Sequence, residues 1–475
     1  MNTVISRWIP LVLITISTSA SFGQSNAPFV AKKKLVQFGW DTPTAQYVKA
    51  NIAAMEAQPF AFDGITFYPG NTNGFVSLFE TTKWDDTRLN WKALTGIRWK
   101  KFTDNFLILN ATDPGLVSYW NDTQWENIVA NMKQVARAAK ISGCKGIFFD
   151  TEHYDTSAWS FSRKTEGHTE AQLYDKMRAR GAQVMQAWQS EFPDIKIWAA
   201  VLLYGAYLSD SNYAMEPAFV NGLLDALNTR AMLIEGHEYA YYWSSSGEWF
   251  SIGYHNARIT YRDTFIKPEN RAKYDRQVQV GTATYPNKFA DGDLSQAQND
   301  RHEHHVYMGL ATTDEYQFYF QERFAFWDHS DNPIGQPISS QTPWSGIAAG
   351  IASAKDKYNS GKKLEFDLSN GVKQTQVSVT ITSPVNETVL TPSKRFAVTA
   401  LADGAAKVEF YRNAAKVSED TTPPFELQET NLPGGTYTYI ARAFNSQNNE
   451  WGSSNPIHVT VSPIVEKNRG IQGLP

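Results

Sequence analysis

Between Lys34 and Gly361 the chain switches eight times from a short apolar run to a longer amphipathic stretch, and this alternation restricts the available folds more than any other feature. The apolar runs are Leu35 to Trp40, Gly64 to Tyr68, Phe106 to Asn110, Gly146 to Asp150, Ile195 to Leu203, Met232 to Glu235, Val278 to Thr284 and Tyr316 to Phe320. Most are continuously apolar, the pattern of strands covered on both faces in a parallel sheet. Helices are expected between them, at Thr44 to Ala57, Trp125 to Ser142, Thr169 to Phe192, Pro217 to Asn228, Ser295 to Leu310 and Trp344 to Tyr358. The third of these starts at a capping Thr169 and stops before Pro193. Eight such pairs in about 330 residues predict a (β/α)8 barrel. An open doubly wound sheet competes, but it usually carries a glycine-rich phosphate loop after its first strand, and that turn here reads Gly39-Trp40-Asp41-Thr42-Pro43.

Past Gly361 the pattern changes to period-two alternation in short runs such as Val377 to Thr382, Lys407 to Tyr411, Thr436 to Ala443 and His458 to Val461, separated by Pro, Gly, Asn and Asp turns. This is a small antiparallel sandwich. The order Ile-Thr-Ser-Pro, Lys-Val-Glu-Phe-Tyr-Arg-Asn, Asp-Thr-Thr-Pro-Pro-Phe and Pro-Gly-Gly-Thr-Tyr-Thr-Tyr resembles the bacterial Ig-like modules appended to secreted carbohydrate-active enzymes. That resemblance implies a spacer or accessory binding module. At the other end, Arg7, the apolar run Trp8 to Ile16 and small polar residues to Ala20 and Gly23 have the layout of a secretory signal peptide. The expected organisation is a signal peptide at 1–23, a catalytic barrel at 32–361, a linker at 362–375, an Ig-like domain at 376–463 and a tail at 464–475.

A signal peptide places the mature protein in the periplasm or outside a bacterial cell, and the single cysteine, Cys144, fits folding without disulfides. No stretch reaches the length of about 18 apolar residues that a membrane-spanning helix needs, so no membrane insertion is expected. A net charge of −4 without a long basic run argues against nucleic acid as a partner. Of the 15 tryptophans only Trp8 and Trp451 fall outside 40 to 344, so the aromatic excess belongs to the barrel.

A parallel barrel carries its active site at the carboxyl ends of its strands. The polar residues there are Asp41, Tyr68, Asn110, Asp150, Glu152, Tyr204, Glu235, His237, Glu238, Tyr285, Gln321 and Glu322. The fourth run, Gly146-Ile147-Phe148-Phe149-Asp150-Thr151-Glu152, ends in two carboxylates two positions apart, which on a strand face the same way. Alternation turns Ile147 and Phe149 toward the helices and Phe148, Asp150 and Glu152 toward the barrel axis or its mouth. The same rule turns Ile234 outward and Glu235 inward on the sixth strand, with His237 following Glu235 and Glu238 not. Paired carboxylates in one pocket are what glycosidic cleavage requires, one to protonate the leaving oxygen and one to act as base or nucleophile. The catalytic candidates are therefore Asp150, Glu152 and Glu235. Aromatic rings supply stacking platforms for sugars, and Trp40, Tyr68, Trp159, Tyr204, Trp243, Tyr285 and Trp327 fall near the strand ends. Trp40, Asp41, Tyr68, Asn110, Tyr204, His237, Tyr285 and Trp327 are the substrate-binding candidates.

The fourth run is similar to the end of the strand-four signature of chitinase-type family 18 glycosidases, Asp-Gly-x-Asp-x-Asp-x-Glu. The resemblance implies Glu152 as proton donor and Asp150 as its neighbouring aspartate. Lys145 and Phe148 stand where the first two aspartates would be, and strand six lacks that family's Met-x-Tyr-Asp pattern. A second arrangement, that of α-galactosidase-like barrels, resembles Asp150 on strand four acting with Glu235 on strand six. The reading is a secreted glycoside hydrolase without a cofactor, acting on a polysaccharide or glycan. A non-catalytic carbohydrate-binding barrel and a metal-dependent barrel enzyme with Asp150, Glu152 and Glu235 as ligands remain the alternatives. In Arg301-His302-Glu303-His304-His305, His302 and His305 share a helix face, but usual zinc spacing is absent and a polar helix face is expected. Cys144 reads as a small buried hydrophobe.

Overall fold

The computed structural model describes residues 32–70, 75–113, 117–152, 158–208, 210–242, 247–285, 296–322, 325–327, 346–362, 364, 367–369, 372–374, 379–391, 395–402, 405–413, 415–444, 450–454 and 456–462. The segments read as a signal peptide and a C-terminal tail lie outside these residues. No helix among them is long and apolar enough to cross a membrane.

The apolar runs become β1 (Lys34–Gly39), β2 (Gly64–Phe67), β3 (Phe106–Asn110), β4 (Gly146–Asp150), β5 (Lys196–Ala199), β6 (Met232–Glu235), β7 (Val278–Val280), β8 (Thr282–Thr284) and β9 (Tyr316–Gln321). Each pairs in parallel with the next from β1 to β7, and β8 pairs with β9, which pairs with β1. β7 and β8 are two halves of one strand broken at Gly281, so the circuit is an eight-stranded parallel barrel. The break is tight: the Gly281 N–H donates to the Glu235 carbonyl at 2.6 Å, and a Cβ there would lie 3.1 Å from the Glu235 and Tyr316 carbonyl oxygens.

Helices follow the strands, including Ala45–Glu56, Asp122–Ile141, Glu170–Glu191, Glu216–Ala226, Pro268–Gln277, Gln296–Ala311 and Ile347–Asn359. Thr44 and Asn121 accept backbone N–H groups at the first turns of two of them, and Thr169 with Gln172 forms a reciprocal capping box. These caps explain why the helix starts were readable from sequence.

The barrel interior is layered. At the amino-terminal end, Lys34 pairs with Asp104 at 2.8 Å and Lys196 with Glu315 at 2.7 Å, while the Tyr316 hydroxyl donates to Asp104 at 2.9 Å. Above this ring Phe38, Phe106, Ile108, Phe148, Trp198, Ile234, Tyr316 and Phe318 fill the axis. Leu107, Leu109, Ile147, Phe149, Ile197 and Leu233 lie on the other face, against the helices. Alternation therefore holds for β4 but is reversed for β6: Ile234 points inward, contrary to expectation, and Glu235 shares the outward parity of Leu233.

The expected linker segment contains a short antiparallel pair, β10 (Asp367–Ser369) with β11 (Val372–Gln374). Beyond it, β12 (Val379–Ser383), β14 (Arg395–Ala402) and β17 (Phe425–Thr430) form one sheet. The facing sheet holds β13 (Thr388–Leu390), β15 (Lys407–Arg412), β16 (Ala415–Asp420), β18 (Gly435–Phe444), β19 (Glu450–Ser453) and β20 (Ile457–Val461). Val398, Val408, Phe410, Phe425, Tyr439, Ala441 and Val459 make the core between them, as the period-two alternation requires.

Candidate active site

At the mouth of the barrel β4 ends on Asp150, which is 7 % exposed, and the backbone N–H of Glu152 donates to its Oδ1 at 3.1 Å. This closes a turn directly past the strand end. The neighbouring strand end aligns Asn110 with Asp150, and the Ala111 N–H donates to the Asp150 carbonyl at 2.8 Å. Asn110 itself donates to the Val76 carbonyl, at 3.4 Å, and is buried. Tyr68 closes the same side. Burial, then the nearby charge of Asp150, holds its phenol protonated well above the ordinary range.

Glu235 ends β6, fully buried, with its carboxyl accepting the backbone N–H groups of Leu202 at 3.1 Å, Leu203 at 2.9 Å and His237 at 3.1 Å. Burial nevertheless pushes the group up to about 7. This carboxyl fixes the chain leaving β5, which explains why β5 stops at Ala199 rather than running to Leu203. His237 then adopts φ 54°, in the left-handed region, and the chain enters a 3-10 turn over Glu238–Tyr242. His237 is buried, 3.3 Å through Nε2 from the Tyr261 hydroxyl, and burial lowers its pKa to about 3.

The reversal at His237 delivers Glu238 to the carboxylates of β4. Burial raises its carboxyl well above the ordinary range, and the charges of Glu152 and Asp150 raise it further, while the Tyr241 hydroxyl interacts with it in the opposing sense. Tyr241 stacks on Phe320 with ring centroids 5.4 Å apart and lies 5.1 Å from Tyr285, over the inner aromatic layer. Tyr213 completes the wall, buried and influenced by the charges of Glu216, Glu152, Asp150 and Glu238. The site thus joins Asp150, Glu152 and Glu238, where alternation along β6 had singled out Glu235. Parity misled there because the phase of β6 is the reverse of the one expected, with Ile234 and not Glu235 facing the axis. The signal available was the adjacent pair of polar residues His237 and Glu238 just past the strand end.

The other candidates divide by position. Tyr204 is half-buried on the rim, 4.3 Å from Tyr239 and 5.3 Å from His237 between ring centroids, and burial raises its hydroxyl to about 12. Tyr285 is nearly buried and donates to Glu322. Trp40 is half-buried beside β1. Asp41 is fully buried and accepts from Gln37 Nε2 at 2.6 Å and the Phe326 N–H at 2.9 Å, tying the start of the barrel to the chain after β9. Burial raises that carboxyl to about 7. Trp327 departs from the expected mouth position: it is buried in the layer outside the sheet, 6.5 Å from Phe102 and 6.0 Å from Phe326. Trp159 is buried and donates to the Thr151 carbonyl at 3.2 Å, bracing the β4 turn. Trp243 lies outside the described residues.

His302, His304 and His305 correct the expectation of a polar helix face, since all three are fully buried and burial lowers each pKa to about 3. His302 Nε2 lies 2.7 Å from the Tyr319 hydroxyl, and His305 Nε2 donates to the Ala240 carbonyl at 2.9 Å. Among the described residues no group of three or more His, Cys, Asp or Glu is arranged to hold a metal ion. Cys144 is buried, and burial raises its thiol to about 12.

Fold and site together define a (β/α)8 barrel with a carboxylate and tyrosine mouth, followed by an Ig-like sandwich. Residues 378–441 match the family model of the bacterial Ig domain. No curated protein matches the chain. Among solved structures, the chain is similar to the fibronectin(III)-like modules of Clostridium thermocellum CbhA at 32 % identity, over 18 % of this chain and 99 % of that one, with a TM-score of 0.18. It is similar to Bacteroides uniformis beta-glucuronidase 2 at 10 % identity, over 92 % of this chain but only 46 % of that one, with a TM-score of 0.31. It is also similar to a GH5 xyloglucan-specific endo-beta-1,4-glucanase from a metagenomic library at 11 % identity, over 65 % and 87 % of the two chains, with a TM-score of 0.33.

Proposed function

We propose that the protein is a secreted glycoside hydrolase acting on a polysaccharide or glycan at the mouth of its barrel. The observation that carries this reading is the convergence of Asp150 and Glu152 from the end of β4 with Glu238 from the turn after β6, close enough to Tyr68, Tyr213 and Tyr241 for their charges to act on these hydroxyls. Glycosidic cleavage needs one protonated and one ionised carboxyl group. Burial and the neighbouring charges of Glu152 and Asp150 favour the protonated form of Glu238. Glu238, whose carboxyl burial raises, is the group assigned to carry the proton and to protonate the leaving oxygen. Asp150 and Glu152 supply the opposing carboxylate, and Glu235 positions the loop after β5. Tyr204 and Tyr239, with ring centroids 4.3 Å apart and planes tilted by 38°, form the platform for a sugar ring.

The test is release of reducing ends from a panel of polysaccharides and aryl glycosides by the full chain and by Asp150→Asn, Glu152→Gln and Glu238→Gln. Loss of turnover with glycan binding retained supports hydrolysis at this cluster. Binding without turnover in the unaltered protein would instead make the barrel a carbohydrate-binding domain. Activity abolished by EDTA and restored by a divalent cation would favour the metal-dependent reading.

A further inference from the structure

The segment that presents Glu238 continues into the helix Gly247–His255, and this helix is held from two sides. Toward the barrel, Phe250 is fully buried in the inner aromatic layer, its ring 5.0 Å from that of His305, which in turn bonds the Ala240 carbonyl. Toward the other side it meets the Ig-like domain. Alternation along β15, β18 and β20 puts Phe410, Ala441 and Val459 into the sandwich core and leaves Tyr411, Arg442 and His458 on the outer face of that sheet.

These three outward residues take hold of the helix. The Arg442 guanidinium lies 5.0 Å from the Trp249 ring and 4.7 Å from the Tyr411 ring, and the two rings meet edge-on at 6.2 Å. The imidazoles of His255 and His458 stack with centroids 3.4 Å apart and 7° between their planes. Arg442 is 8 % exposed and His255 9 %, so these groups are withdrawn from water, where a cation on an aromatic face is held more strongly than at an open surface. From the Ig-like side, His458 is oriented by its Nδ1 at 3.1 Å from the Thr438 hydroxyl and by its backbone N–H, which donates to Asn386 at 2.7 Å.

We infer that the Ig-like domain is a brace for the mouth of the barrel: Arg442 and His458 clamp Trp249 and His255, and so hold the turn Glu238–Tyr242 that carries Glu238 and Tyr241. Arg442 and His458 are positioning residues, acting through the helix. Packing on both faces restricts a segment that would otherwise open locally, because a helix of nine residues has little stability of its own.

Hydrogen exchange followed peptide by peptide tests the brace in the full chain, comparing the unaltered protein with Arg442→Ala/His458→Ala. Exchange across 247–255 should accelerate about tenfold or more, with Glu170–Glu191 unchanged. Trp249→Ala, on the barrel side, should expose the outer face of β15 and β20 and add nothing further when combined with Arg442→Ala. Unchanged exchange at 247–255 overturns the brace, and so does equal acceleration throughout the barrel. If the double variant also unravels the Ig-like core, seen as faster exchange in β17, Arg442→Gln and His458→Gln replace it under the same criteria. The kinetic arm alone rests on the proposed reaction: kcat should fall in the double variant while the unaltered chain turns over. A chain that shows no hydrolysis at all leaves the exchange result decisive, so failure of the reaction and failure of the brace read out separately.

Discussion

Glu235 accepts the backbone N–H of Leu203 at 2.9 Å, so the carboxyl that ends β6 is committed to the chain leaving β5. Replacing it removes the acceptor for three buried donors, those of Leu202, Leu203 and His237. Each buried unpaired donor costs about 1–3 kcal/mol. Glu235→Ala should therefore lower unfolding free energy by about 3 kcal/mol or more, while Glu235→Gln, which keeps an acceptor oxygen, should cost less. Denaturant unfolding of both variants checks this. A loss of turnover in Glu235→Ala with stability unchanged would mean the group acts on substrate instead.

Glu238→Gln removes the proton assigned to the leaving group. Its loss should be about 10²–10⁴-fold on glycosides with poor leaving groups and much smaller on dinitrophenyl glycosides, whose leaving group departs without protonation. The basic limb of the pH-rate profile should vanish with it. If that pattern belongs to Glu152→Gln, Glu152 is the acid, as the family 18 resemblance implies.

The pH dependence of stability has two opposing parts. His302, His304 and His305 are buried with pKa values lowered to about 3, so as pH falls below 6.5 the unfolded chain takes up protons that the folded chain refuses until about 3. Their contribution is complete above 6.5 and is lost over that interval. Asp41 and Glu235 have raised values of about 7, so theirs is complete below about 4 and is lost as pH rises to about 7. Melting temperature should fall steeply on acidification below 6.5. Asp41→Asn/Glu235→Gln, which removes the opposing part, should make the fall between pH 7 and 4 steeper than in the unaltered protein.

Trp198 stands between Phe106, Phe148, Tyr316 and Phe318, with ring centroids 5.2, 5.4, 5.1 and 5.8 Å away. Trp198→Ala should cost about 3–5 kcal/mol by leaving a cavity on the barrel axis. Thermal unfolding measures it, and a near-neutral result would mean that the aromatic layer collapses to fill the space.

Much of the architecture was readable because its causes are local. Thr169, Gln172 and Pro193 mark a helix through bonds and blocked bonds within a few residues, and Gly146 to Asp150 reads as a strand from residue types alone. Phe148 against Ile147 followed from alternation. The break at Gly281 was hidden inside an apolar run, and the Glu238–Tyr242 turn followed a reversal at His237 that no periodicity carries. Trp327 shows the same limit: an indole near a strand end looks like a sugar platform until its neighbours, Phe102 and Phe326, are known.

By itself the sequence determined the barrel, the sandwich after it and the acidic end of β4, because hydrophobic periodicity and capping act over a few residues. Only the tertiary structure decided that Glu238, not Glu235, joins Asp150 and Glu152. That choice depends on one left-handed residue at 237 and on burial of Glu238 beside the carboxylates of β4, and side-chain direction past a strand end and burial are both properties of the folded surroundings.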